Sequence, residues 1–395
     1  MKIVDVCAFY APTGGGVRTY VDRKLIAGPA AGHEIVIVAP GPRTFTEVRG
    51  DGARIRWLCS PRFPLDRNYR YFADRAQLHA VLDEERPDVV EASSPWRSAS
   101  MVADWRGDAR RVLVAHADPL SAYAYRWFGG IADRATIDRG FDWYWRHLKR
   151  LNRRFDHIIC ASESLSGRLR AGGLTGVVTN PMGVETGLFS PALCDRALRK
   201  QLLADCGLGE TATLLLGVGR HAPEKRWEMV VEAVNAAAWD RAIGLLLVGG
   251  GRGSQKLLRA IGNNPHVRLI QPIASRPELA RLMASCDALI HGCEAETFCL
   301  VAAEASASGL PLIVPDAGGA CDFASTGPAW SYRSGSAAAA ATTIGVAVDW
   351  LAARGQERRI YAVPRVRAMD DHFADLFELY ASQPGAGCGW LARQA

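Results

Sequence analysis

Short, nearly unbroken apolar runs alternate along this chain with longer stretches in which apolar positions return every three or four residues. In the first half the runs are "KIVDVCA", "EIVIVAP", "RIRWLC", "DVVEAS", "RVLVAHA", "HIICAS" and "GVVTN"; the theme then restarts with "TLLLGVG", "GLLLVGG", "VRLIQP", "DALIHG" and "PLIVPD". Runs without polar interruption predict strands buried on both faces, as in a parallel sheet. The periodic stretches between them, such as "EKRWEMVVEAVNAAAWD" and "RPELARLMASC", predict crossover helices. Glycines and a proline in "MGVETGLFSPALCD" separate the two series. The pattern predicts an α/β chain of two doubly wound, Rossmann-like sheets in tandem. Ligands of such sheets bind beyond the carboxyl ends of the strands, where the strand order reverses.

At 395 residues the chain suits two cores rather than one. The start, "MKIVDVCAFYAP", reads as a buried strand and not as a secretory leader. No apolar run reaches the length of a membrane span. Ten cysteines are scattered without a C-x-x-C pair, the usage of reduced thiols in a cytoplasm. The net charge of +6 is mildly basic, and no nucleic-acid recognition motif accompanies it.

Four constellations carry chemistry. In "CEAETFCLVAAEASASGLPLIV", Glu296 falls in the loop after a strand, and Phe298, Cys299 and Leu300 open a helix whose first N–H groups face an anion or a sugar hydroxyl. Glu304 lies further into that helix among alanines, where a carboxylate needs hydrogen-bond donors such as the two hydroxyls of a ribose. In "LLLGVGRHAPEKRW", a strand ends at Gly217 and Gly219, and Arg220 and Lys225 follow as a pair of cations suited to a diphosphate. In "YAPTGGGVRTYV", Gly14, Gly15 and Gly16 allow close backbone approach ahead of a helix. His116 sits at the end of "RVLVAHA". His291, Cys293, Glu294 and Cys299 fit no usual zinc spacing, and no metal or cofactor is expected.

In this order the pieces resemble family four of the retaining glycosyltransferases, which has the GT-B fold of two Rossmann-like domains facing a cleft. The resemblance rests on the glycine loop, the mid-domain histidine, "NPMGVETGLFSP", "GVGRHAPEK" and the pair Glu296 and Glu304 followed by "GLPLIVPDAGG". It implies an acceptor-binding domain over 1–188, a nucleotide-sugar-binding domain over 189–365, and a helix within 366–395 that crosses back to the first domain. It implies a metal-independent, retaining transferase in which Arg220 and Lys225 hold the diphosphate. Glu304 takes the ribose, Glu296 with the N–H groups of Phe298 and Cys299 takes the donor sugar, and Gly15 and Gly16 close over the phosphates. His116 faces the sugar near the acceptor. The expected donor is a UDP-sugar ahead of GDP-mannose; a nucleotide-sugar 2-epimerase is the alternative. Two departures stand out: Thr297, Phe298 and Cys299 replace a glycine–phenylalanine–glycine run, and Asp322 replaces a glutamate.

The stretch "FDWYWRHLKRLNRRFDH" sets three aromatic residues, Trp143, Tyr144 and Trp145, beside Arg146, Lys149, Arg150, Arg153 and Arg154. Such a helix suits the headgroup region of an anionic membrane. A peripheral position on the inner face of the cell membrane, with a lipid-linked or cell-envelope acceptor, is the resulting expectation.

Overall fold

A computed structural model describes residues 1–10, 16–64, 69–129, 131–325, 327–354 and 366–382. The chain divides into two compact units. One comprises Met1–Ala117, Ala132–Pro181 and the C-terminal helix from Asp370; the other comprises Asp118–Ile131 and Met182–Met369. Two features of this division are invisible in the hydropathy pattern: the boundary falls at Pro181/Met182, and Asp118–Ile131 groups with the second unit.

The first unit is built on an eight-stranded sheet. Its strands are Lys2–Val6 (β1), Glu34–Gly41 (β2), Phe45–Gly50 (β3), Ala53–Cys59 (β4), Val89–Ala92 (β5), Arg110–Ala115 (β6), His157–Cys160 (β7) and Val177–Thr179 (β8). Their order is β3-β4-β2-β1-β5-β6-β7-β8, parallel throughout except for the antiparallel pair β3 and β4. Seven of these strands coincide with the apolar runs. The eighth, β3, is a mostly exposed edge strand, "FTEVRG", that buries too little to carry an apolar signature. The helix Met369–Ala381 packs on this unit through Phe373, Leu376, Phe377 and Tyr380, all buried.

The second unit holds six parallel strands: Thr213–Val218 (β9), Ile243–Val248 (β10), Val267–Ile270 (β11), Ala288–Ile290 (β12), Leu312–Pro315 (β13) and Ala329–Tyr332 (β14). Their order is β11-β10-β9-β12-β13-β14. Successive side chains of β9 leave opposite faces of the sheet. Leu214 and Leu216 enter one apolar cluster, with the helices Arg276–Ala284 and Leu300–Ala307. Leu215 enters the other, with Trp227–Ala237 and Ala337–Ala353. Helices on both faces make the unit doubly wound. The strand order turns around at β9, whose neighbours are β10 on one side and β12 on the other, so the switch point lies at the carboxyl ends of β9 and β12.

Candidate active site

The loops after β9 and β12 carry Gly219, Arg220, Lys225, Glu296, Phe298 and Cys299 among the residues that the sequence singled out. Beyond β9 the chain passes through Gly219 to Arg220, makes a single 3-10 turn over Pro223–Lys225, and starts the helix Trp227–Ala237. Lys225 therefore ends a turn rather than beginning the helix, because Arg226 interrupts it with φ of 50°. Trp227 fastens the loop by donating its indole N–H to the Arg220 carbonyl at 3.0 Å. The neighbouring loop after β10 presses on it: a Cβ at Gly249 would lie 1.9 Å from the Gly219 carbonyl oxygen. Only glycine fits that contact.

The loop after β12 brings Glu296 back to Lys225, whose ammonium donates to Glu296 Oε1. Burial pushes the Glu296 carboxyl up, but the Lys225 charge outweighs it and brings the pKa down to about 2. Burial likewise opposes the Lys225 charge, and Glu296 reverses this, leaving the lysine well above its ordinary value. The pair is thus ionised across the physiological range. Its side chains are 13% and 27% exposed, so a ligand can reach an edge of it. A second ion pair stands next to the first, where Arg226 Nε donates to Glu294 Oε2 at 2.8 Å. This second pair escapes the sequence reading, although the alternation Glu294–Ala295–Glu296 opposite adjacent Lys225 and Arg226 is its signature.

Arg220 lies close enough to help hold Glu296 ionised, yet its exposed guanidinium turns to Glu224 at 3.3 Å. Glu224 also meets Arg126 at 3.9 Å, a cation supplied by the Asp118–Ile131 segment. Below the loop, Cys299 caps the helix Leu300–Ala307 in the left-handed region, with φ of 74°. Thr297, Phe298 and Cys299 are buried, and the Gly319 N–H holds the turn by donating to the Glu296 carbonyl at 2.7 Å. The N–H groups of Cys299 and Leu300, at the head of that helix, have no partner within it, and Phe298 precedes the cap.

Glu304 is buried one turn into the helix and accepts from Arg276 at 2.7 Å. Burial raises its pKa, with Arg276 opposing and Glu185 adding to the rise. Arg276 in turn lies over the Phe189 ring at 5.0 Å. Glu304 is thus not grouped with Lys225 and Glu296 but held by its own arginine, which the sequence reading missed.

His116 belongs to the first unit, at the end of β6, edge-on to the Tyr20 ring at 4.7 Å. Burial lowers its pKa to about 4, so the imidazole is neutral at pH 7. Gly16 begins the helix Gly16–Ala30, while Gly14 and Gly15 lie outside the described residues. Within this unit Lys24 is fully buried between Asp5, at 3.1 Å, and Glu91. Two carboxylates inside the apolar runs "KIVDVCA" and "DVVEAS" were the available signal for it.

Known proteins resemble this chain over most of its length. Residues 14–188 match the family model "Glycosyltransferase Family 4", and residues 199–347 match "Glycosyl transferases group 1". The chain is 31% identical over 331 residues to a GDP-mannose-dependent alpha-mannosyltransferase of Mycolicibacterium smegmatis, covering 82% of each. It is 29% identical to a GDP-mannose-dependent alpha-(1-6)-phosphatidylinositol dimannoside mannosyltransferase of Mycobacterium tuberculosis, over 80% of this chain and 79% of the relative. The fold matches sucrose-phosphate synthase from Thermosynechococcus elongatus at 19% identity, with a TM-score of 0.70 over 96% of this chain and 98% of that one. The chain is a glycosyltransferase of family four, with the GT-B fold.

Proposed function

We propose that this enzyme transfers mannose from GDP-mannose, with retention of configuration, to a lipid-linked or glycan acceptor. The observation that carries the reading is the Lys225–Glu296 pair at the switch point of the second sheet, ionised and open along one edge. Lys225 has three N–H donors and can hold Glu296 and a phosphate oxygen together. Glu296 and the helix-opening N–H groups hold hydroxyls of the sugar. As the bond to the diphosphate breaks, positive charge grows on the anomeric carbon and negative charge on the leaving oxygen. Lys225 and Arg220 stabilise the latter, each fixed contact contributing a few kcal/mol. Glu304 takes the ribose hydroxyls, with Arg276 beside it. The leaving phosphate assists deprotonation of the acceptor on the same face of the sugar.

GDP-mannose is proposed ahead of the UDP-sugar expected from motifs alone because both relatives above act on GDP-mannose by name. Both are transferases, so the epimerase alternative has no support from them. The lipid acceptor draws support from the phosphatidylinositol dimannoside relative and from the helix Asp142–Asn152. That helix buries Tyr144 and Trp145 and leaves Trp143, Arg146, Lys149 and Arg150 exposed, a basic face with one aromatic anchor. Among the described residues no helix is long and apolar enough to cross a membrane.

The test is thermal stability with GDP, UDP and ADP added separately. A ligand at 100 times its dissociation constant adds about 2.7 kcal/mol. GDP alone is expected to raise the melting temperature, and Glu304→Ala to abolish the rise. A shift with UDP alone would overturn the donor assignment, and no shift with any of the three would overturn the site. With the two cations facing the diphosphate, transfer is expected to survive EDTA. Loss of transfer on chelation, restored by Mn²⁺, would sink that expectation.

A further inference from the structure

Beside the Lys225–Glu296 pair lies a histidine that donor binding does not use. His291 follows β12, has no solvent exposure, and among the described residues neither of its ring nitrogens has a hydrogen-bond partner. A buried imidazole left in that state is costly unless something else engages it. Its Nε2 stands 3.8 Å from Glu296 Oε1. The buried Cys299 completes a triangle: the imidazole nitrogen, the carboxylate oxygen and the thiol sulfur all lie within 4.8 Å of one another.

These are the donor types of zinc sites. An ion with bonds of about 2.0–2.3 Å in tetrahedral geometry sets its ligand atoms roughly 3.3–3.8 Å apart. The histidine–glutamate edge, at 3.8 Å, is a few tenths of an ångström longer than such an edge, and the thiol has to move in by at most about 1.3 Å, within the reach of a side-chain rotation.

We propose that His291, Glu296 and Cys299 form an inhibitory site for a soft divalent cation such as Zn²⁺. Binding releases the Cys299 proton to solvent, as thiolate ligation requires. Glu296 exchanges the Lys225 ammonium for the ion, and the displaced lysine is repelled by it. The carboxylate that faces the donor sugar is then committed elsewhere. Mg²⁺ and Ca²⁺, which prefer oxygen ligands, do not engage the sulfur and are not expected to bind. The inhibition rests on the reading of Lys225 and Glu296 as the donor-holding pair; the ion site does not.

Titration of Co²⁺ into the full chain, freed of metal by a chelator, tests the site by absorbance. One equivalent is expected to produce tetrahedral visible bands and a near-ultraviolet thiolate-to-cobalt band. Cys299→Ser is expected to remove the thiolate band and His291→Asn to weaken binding at least tenfold, whereas Cys293→Ser keeps both. No thiolate band in the wild type, or a band that survives both Cys299→Ser and His291→Asn, overturns the proposal. Should either variant fail to fold, X-ray absorption of the Zn²⁺-loaded wild type decides. One sulfur in a shell of nitrogen and oxygen supports the site, and no sulfur or several overturn it. Zn²⁺ at one equivalent is expected to lower transfer at least tenfold while Mg²⁺ does not. A complete cobalt spectrum with unchanged transfer overturns the inhibitory role. Retention of the GDP melting shift would then show that the nucleotide reading itself still stands.

Discussion

Each unit of this enzyme contains a lysine ion-paired near the centre of its sheet, and the two lysines differ in position and exposure. Lys24 in the first unit is completely buried between Asp5 and Glu91, and Ser93 adds a hydrogen bond to Asp5 at 2.6 Å. Asp5 and Glu91 sit within β1 and β5, and Lys24 reaches them from the helix Gly16–Ala30. This cluster ties a helix to a sheet and offers no surface to a ligand. Lys225 and Glu296 lie past the strand ends instead, on loops, and keep an exposed edge. An ion pair within a strand is scaffolding, and one beyond the carboxyl end at the switch point is available for chemistry. Position along the strand and residual exposure separate the two roles, not residue type.

The sharpest way to break that comparison is Lys24→Met. Removing the cation strands two carboxylates in the interior, and truncation of a buried pair costs about 3–5 kcal/mol. Chemical denaturation is expected to show that loss, with transfer per folded molecule nearly unchanged. Full stability with lost transfer would mean that the buried cluster is part of the catalytic apparatus.

Lys225→Met should behave in the opposite sense. Loss of one fixed charge at a developing anion costs on the order of 10²–10³ in kcat. The partly exposed pair contributes less to folding, so the stability loss is expected to stay below about 2 kcal/mol. Steady-state kinetics beside denaturation would check both halves. A larger loss of stability than in Lys24→Met would erase the distinction drawn here.

The smallest expected effect is at Cys299, which holds a left-handed backbone conformation at the head of the helix Leu300–Ala307. Glycine adopts that conformation without strain, so Cys299→Gly is expected to gain about 1 kcal/mol, less the packing of one buried thiol. Calorimetry would read it as a higher melting temperature. A lower one would mean that the sulfur packs well enough to outweigh the strain.

That residue also marks where reading the sequence stops. The run Thr297–Phe298–Cys299 departs visibly from the glycine-rich family pattern, but that Cys299 keeps the glycine-like backbone emerges only from the folded loop. The edge strand β3 was hidden for a related reason: its side chains are mostly exposed and its pairing is supplied by β4, not by its own apolarity. The segment Asp118–Ile131 opens on Asp118–Pro119 and closes on Gly129–Gly130, turn signals that do not tell which unit it joins; it groups with the second unit and places Arg126 on Glu224.

What the sequence alone determined is the set of elements whose evidence is local. Buried parallel strands must be apolar on both faces, so twelve of the fourteen strands among the described residues announce themselves as runs. Glycines needed at a strand terminus, cations just beyond it and carboxylates at the head of a helix are also fixed by short-range stereochemistry, and so Arg220, Lys225, Glu296 and Glu304 were legible. Only the tertiary structure decided which charge meets which. It assigned Glu296 to Lys225, Glu294 to Arg226, Glu304 to Arg276 and Asp5 with Glu91 to Lys24. Partners dozens of residues apart are brought together by strand order and loop packing, and ion pairing has no periodicity along the chain to betray it.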